Sequence, residues 1–398
     1  MVGYYPPERM GGVGEVVAHL HGALLAAGHD SFVLTRGRAR GEPRVERIAL
    51  SPAGFALRLA GSGARARQAD LVHCHHGDAL LLLLALRLAR ARTPVLATFH
   101  VDHRGMGEAH RPYALGGRRF GTGLSGWLYR TLLARLHRAS DAAALRLADA
   151  ASFISRSTAR DVLGPERGGR AKVVYNALPE LPDPDPRAGP AAEPVELLYV
   201  GTDGPRKRVL ALPFVLERVR RALPRARLRL VGVELARSPE LLRLFAERGL
   251  GEAVVCEGVV PSERVRAFYR AAGVLLVPSA YEGLPMVVLE ALQCGLPCVA
   301  TRVSGHPEVI EDGSSGFLVP PDDPEQMAER CLQLLAAPGL ARRLGQAGRA
   351  RVAERFGLAR QLEEYLEIYR QLAGDAASPK GAQRGEAERR ETGPGARS

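Results

Sequence analysis

Short apolar runs alternate along this chain with stretches in which apolar residues recur every three or four positions. Runs of the first kind suit buried parallel strands and stretches of the second suit amphipathic helices, so the alternation predicts an α/β fold of doubly wound parallel sheets. In the first half the predicted strands are 31–35, 70–74, 94–99, 151–154 and 172–175, with helices near 15–27, 78–91, 124–147 and 157–163. Prolines at 179, 182, 184, 186, 190 and 194 then disfavour both ladder and helix, and 179–194 reads as a semi-rigid linker. Strands resume at 195–200, 228–231, 254–257, 273–277 and 297–300, with helices near 326–335, 340–356 and 358–372. A chain of 398 residues exceeds the size at which one core keeps growing, so two domains are expected. From 374 to 398 the residues are small, charged and glycine-rich, and a disordered tail is expected.

The stretch from Tyr281 to Pro297 carries the densest chemistry. Pro278, Ser279 and Gly283 mark a loop leaving the 273–277 strand, which puts Glu282 at a strand's carboxyl end. Pro285 suits the first turn of the next helix, whose free amides would welcome a diphosphate. Glu290 lies farther along that helix, so the two acids would hold different parts of one extended ligand, one the hydroxyls of a sugar and the other a ribose.

Glu282 and Glu290 resemble the Glu-x7-Glu signature of the retaining glycosyltransferases with the two-Rossmann GT-B fold, which include bacterial lipopolysaccharide glucosyltransferases and phosphatidylinositol mannosyltransferases. The resemblance extends over roughly residues 2 to 372. It implies a first domain at 1–178, a nucleotide-sugar domain at 195–356, and a helix at 357–373 that returns to cover the first domain. It implies donor contacts from Gly283, Leu284 and Pro285 as well as the two acids. Gly11, Gly12 and Gly14 precede a helix; alone they are as well read as a turn as a ligand loop, and the resemblance makes Gly12 the amide that meets the donor phosphate. Only Met1, Val2 and Gly3 precede Tyr4, so either the native start lies upstream or this sheet lacks most of one central strand, which an intact mass decides.

After the 195–200 strand, Gly201-Thr202-Asp203-Gly204-Pro205-Arg206-Lys207 offers Arg206 and Lys207 to a leaving diphosphate. Family members often carry arginine where Thr202 stands and glycine where Arg208 stands. His100 closes the 94–99 strand and matches a family histidine that reaches the donor sugar; by position it is a hydrogen-bond donor, a proton carrier or a core group, of which the first is favoured. Gly305 and Glu308 are expected to shape the crevice wall, and Asn176 to be structural. The implied reaction is sugar transfer from a nucleoside diphosphate sugar with retention, through same-face attack. A double displacement would need a carboxylate nucleophile, which no residue here supplies by its position in sequence.

Composition bounds the rest. Five scattered cysteines form no disulfide framework or metal pattern and point to a reducing compartment. His73, His75 and His76 crowd one strand end, but only Asp78 stands near them, and no metal or cofactor is expected. The chain shows no leader segment or membrane-length apolar run, so a cytoplasmic protein is expected. Residues 1–178 hold 25 of the 55 basic and 13 of the 43 acidic residues, so the whole net charge of +12 lies there. That suits an anionic acceptor or an anionic leaflet; nucleic acid is the competing anion and is not expected as a partner. Arginines including Arg118 and Arg119 fill 104–138, and from Leu124 the apolar positions recur at helical spacing. Leu128, Leu132 and Leu136 could pack onto the domain or rest on a bilayer, and Trp127 favours an acceptor or interfacial role. Two other readings stand beside transfer: a nucleotide-sugar epimerase of the same fold, and a non-catalytic basic protein bound to a membrane.

Overall fold

The computed structural model describes residues 1, 12–36, 44–48, 68–75, 80–101, 103–121, 123–169, 171–181 and 195–374. The segment before the glycine loop, Gly11, His76, Asp78, most of the 179–194 linker and residues 375–398 lie outside the described residues. Among the described residues the strands are β1 Val33–Arg36, β2 Val45–Ile48, β3 Val72–His75, β4 Val95–Phe99, β5 Tyr113–Leu115, β6 Arg118–Phe120, β7 Ala150–Phe153, β8 Glu196–Val200, β9 Arg227–Val231, β10 Val254–Gly258, β11 Val274–Val277, β12 Cys298–Thr301 and β13 Phe317–Val319. They fall in two compact units, one of Met1–Phe99, Ser140–Ser152 and Leu358–Ser398, the other of His100–Ala139 and Phe153–Gly357.

In the first unit β1 pairs parallel with β2, and β3, β4 and β7 form a sheet in that order. β3 and β4 are buried along their whole length, as strands covered on both faces should be. The last helix, Leu358–Ala373, buries Gln361, Tyr365, Ile368 and Tyr369, a single stripe at helical spacing, and packs with the helix Gly12–Ala26. Hydroxyls fasten it to the sheet. Tyr369 lies 2.7 Å from His73 Nδ1, Thr98 lies 2.7 Å from His73 Nε2, and Ser152 lies 2.6 Å from Thr98. Both nitrogens of His73 are thus engaged by protein hydroxyls. Among the described residues no group of His, Cys, Asp and Glu is arranged to hold a metal.

The second unit centres on a six-stranded parallel sheet in the order β10-β9-β8-β11-β12-β13. Taken in chain order this is the doubly wound 3-2-1-4-5-6 arrangement. Its core joins Leu197, Leu228, Leu230, Val274 and Leu276 of the strands to Leu212, Val215, Leu216 and Val219 of the helix Leu212–Ala222.

His100–Ala139 groups with this unit rather than with the first, and a hairpin gives the reason. β5 and β6 pair antiparallel through Gly116 and Gly117, whose φ values of 53° and 76° suit the tight turn favoured by strand twist. Phe120 meets Phe214 edge-on at 6.4 Å, and Arg118 pairs with Glu247 at 2.8 Å, so the hairpin packs on the helices Leu212–Ala222 and Pro239–Glu247.

One expectation needs correction. Residues 172–175 form only a single bridge, Phe153 to Val173, because β7 ends at Phe153 and offers no longer edge. The 124–147 helix exists as Gly123–Leu128, a π-turn Tyr129–Leu133 and Ala134–Leu147, and of the two readings left open for its apolar face, exposure is the one found for the residues that follow. Leu124, Trp127, Leu128, Leu132 and Leu136 are between 40% and 78% exposed. No helix among the described residues is long and apolar enough to cross a membrane.

Candidate functional site

In an open parallel sheet ligands bind beyond the carboxyl ends of the strands, where the order reverses. Here that point lies between the neighbours β8 and β11. The chain leaving β8 turns at Pro205–Lys207, and the chain leaving β11 runs through Glu282 into the helix Met286–Gln293. A backbone hydrogen bond from the Ala280 amide to the Arg206 carbonyl, 2.7 Å, ties the two loops together.

Arg206, Lys207 and Glu282 meet there. Lys207 Nζ donates to Glu282 Oε1 at 2.7 Å, Arg206 Nη1 stands 2.8 Å from Oε2, and Ser279 Oγ donates to Oε1 at 2.8 Å. Glu282 and Lys207 are buried, whereas the Arg206 side chain keeps 32% of its surface. Burial alone would raise the Glu282 pKa, but the charges of Lys207 and Arg206 outweigh it and hold the carboxyl well below the usual carboxylate range. Burial pulls the Lys207 pKa down against the opposing pull of Glu282. For Arg206 burial acts downward too, yet Glu282 prevails and the net shift is upward. Glu282 and Arg206 are thus favoured in their charged forms, whereas burial works against the charge on Lys207.

By sequence position the cations and the carboxylate have separate duties; the folded chain joins them in one cluster. Sequence spacing carries no signal for that contact, since the partners lie 75 residues apart.

His100 is also brought here. A side chain at Gly283 would run into the His100 carbonyl, and one at Gly305 into the Gly283 carbonyl, so these three backbones approach as only glycine permits. His100 itself is 2% exposed, and Leu284 beside it is buried. Pro285 caps the helix Met286–Gln293, with its carbonyl accepting from Val288 at 3.0 Å. Glu290 lies one turn on, where Tyr269 donates to Oε2 at 2.8 Å.

His306 is a further neighbour of this cluster. It is fully buried, its Nδ1 lies 2.6 Å from the Thr301 carbonyl, and burial lowers its pKa against the charge of Glu282. Nδ1 must be the protonated nitrogen to make that bond, so Nε2 is a lone pair. The Ser304-Gly305-His306 run was the available signal.

Glu308 holds the start of a neighbouring helix. Its carboxylate accepts from the Arg156 and Ser157 amides at 2.8 Å each and from Tyr175 at 3.0 Å, capping the helix Arg156–Leu163. Asn176, next to Tyr175 in sequence, is buried. Gly12 opens the helix Gly12–Ala26 in the first unit. Arg118 is paired with Glu247 on the hairpin, while Arg119 and Trp127 are exposed.

The family model "Glycosyl transferases group 1" matches residues 185–351, and "Glycosyltransferase Family 4" matches residues 10–180. Glycogen synthase of Mycobacterium tuberculosis is 28% identical over 88% of this chain and 89% of its own length. D-inositol 3-phosphate glycosyltransferase of Streptomyces bingchenggensis is 37% identical, over 35% of this chain and 30% of that relative. Among solved structures, sucrose-phosphate synthase from Thermosynechococcus elongatus superposes with a TM-score of 0.72 at 24% identity, covering 92% of this chain and 94% of that one. The Anabaena protein Alr3699/HepE, solved with UDP and glucose, gives 0.69 at 18% identity, covering 92% and 97%. With the doubly wound sheet and the loops beyond its switch point, these matches show that the chain belongs to the group 1 glycosyltransferases and has their GT-B fold.

Proposed function

We propose that the protein moves a sugar from a nucleoside diphosphate sugar to a hydroxyl acceptor with retention of anomeric configuration, in the assembly of a cell-surface polysaccharide or glycolipid. The observation that carries this reading is the closure of Lys207 and Arg206 on Glu282 at the carboxyl ends of two adjacent strands. As the bond from the sugar carbon to the diphosphate breaks, negative charge grows on the departing oxygens. Cations held at that point stabilise it.

Arg206 and Lys207 would turn toward the diphosphate, and Glu282, relieved of part of its pairing, would take the sugar hydroxyls. The acceptor oxygen forms its bond to the sugar carbon on the same face, and its proton passes to the departing phosphate oxygen. Glu290 would hold the ribose, and His100 would donate a hydrogen bond to the donor sugar. Gly12 would offer its amide to the donor phosphate. No metal enters this scheme, because side-chain cations and helix amides hold the diphosphate.

Solved relatives that contain UDP support a nucleotide donor. The exposed face from Leu124 to Leu136, with Arg119, Arg130, Arg135 and Arg138 near it in sequence, supports an acceptor met at the anionic inner leaflet by a peripheral, cytoplasmic enzyme. Thermal-shift screening against UDP-, GDP- and ADP-sugars identifies the donor, and the released nucleoside diphosphate is then measured with and without acceptor. An isomerised sugar nucleotide from donor alone would identify an epimerase instead.

A further inference from the structure

Arg208 combines burial with an unusual backbone. It is 4% exposed, directly follows Lys207, and has φ 51° and ψ 36°, the left-handed region that favours glycine. A bulky residue persists there only when its surroundings fix it.

Three contacts do so. The guanidinium stacks over the Tyr113 ring with its carbon 3.6 Å from the centroid, Nε donates to Asp322 Oδ1 at 3.2 Å, and Nη1 donates back to the Pro205 carbonyl at 3.2 Å. Asp322 is itself a non-glycine residue with positive φ, 58°. The Pro205 carbonyl belongs to the very turn that carries Arg206 and Lys207. Tyr113 stands at the start of the hairpin strand β5, which Phe120 and Arg118 anchor to the neighbouring helices.

We propose that Arg208 is a positioning residue: clamped between Tyr113 and Asp322, it holds the Pro205–Lys207 turn so that Arg206 and Lys207 present their charges to the donor diphosphate. This rests on the reading of that site as a nucleoside diphosphate site. Stacking needs a flat cation, so lysine cannot replace it fully.

The backbone conformation supplies a clean test, because Arg208→Gly suits the φ while deleting all three contacts. The probes are the nucleoside diphosphate that raises the melting temperature most, taken from UDP, GDP and ADP, and the corresponding monophosphate, each titrated by calorimetry. Arg208→Gly is expected to weaken diphosphate binding about tenfold, roughly the worth of one charge-assisted contact, and to leave monophosphate binding unchanged. Tyr113→Ala should do the same, the double variant should be no weaker than either alone, and Arg208→Lys should fall between. Unchanged diphosphate binding in folded Arg208→Gly and Tyr113→Ala overturns the proposal, as does an equal loss for both nucleotides. If Lys207→Ala also leaves diphosphate binding unchanged, or no nucleotide binds the wild type, the reading of the site itself falls.

Discussion

Lys207 Nζ lies 2.7 Å from Glu282 Oε1, joining the loops that follow two adjacent parallel strands. Two opposite charges buried this closely hold each other in the charged state, and neither is replaceable alone.

Removing Glu282 leaves Lys207 buried without its carboxylate, and removing Lys207 leaves Glu282 to Arg206 alone. Lys207→Ala and Glu282→Ala are each expected to reduce transfer by roughly 100- to 1,000-fold or more, the scale of losing one preorganised charge-stabilising group. Glu282→Ala loses stability, while Lys207→Met combined with Glu282→Leu loses less than it, since one buried unpaired charge costs about 3–5 kcal/mol. Thermal unfolding and nucleoside diphosphate release measure the two effects; wild-type turnover in either single variant contradicts the assignment.

The pH dependence follows from the same pair. The folded-state pKa of Glu282 is depressed, so its contribution to stability is present above the ordinary carboxylate range and is lost only as pH falls through its lower folded value. Lys207 is depressed by burial, so its charge disappears at a pH below the ordinary 10.5, and the alkaline limb of activity should lie below that value. Burial of charged Lys207 opposes folding, so its deprotonation does not itself reduce stability. Activity should therefore fall on the alkaline side before the fold does, which a pH profile of turnover beside circular dichroism can check.

Close backbone approach predicts a contrast between glycines. Gly283→Ala meets the His100 carbonyl and should cost about 1–3 kcal/mol. Gly251→Ala, with nothing within 4 Å of its added carbon, should be nearly neutral. Denaturant midpoints of the two variants decide.

Much of this fold was legible because its signals are local. Gly273 to Val277 is apolar and ends in Pro278, so a strand and its loop follow directly, and Arg206 and Lys207 were placed after a strand in the same way. The hairpin carries a strong turn signal in Gly116-Gly117, but its two three-residue strands are too short and too arginine-rich to show an alternation. The Lys207–Glu282 and Arg208–Tyr113 contacts had no local signal at all: they arise from strand order and from a hairpin packing on distant helices.

The exposed helix face yields a further prediction. Trp127→Glu combined with Leu132→Glu should abolish sedimentation with anionic vesicles, leave melting unchanged and preserve donor binding, since both residues are about half exposed. Equal sedimentation of variant and wild type would remove the membrane from the proposed function.

The most direct measurement is a crystal structure of the protein with its nucleoside diphosphate. Phosphate oxygens within hydrogen-bonding distance of Arg206 and Lys207, beyond the ends of β8 and β11, are the predicted result. A diphosphate bound elsewhere, with both cations still closed on Glu282, would contradict it.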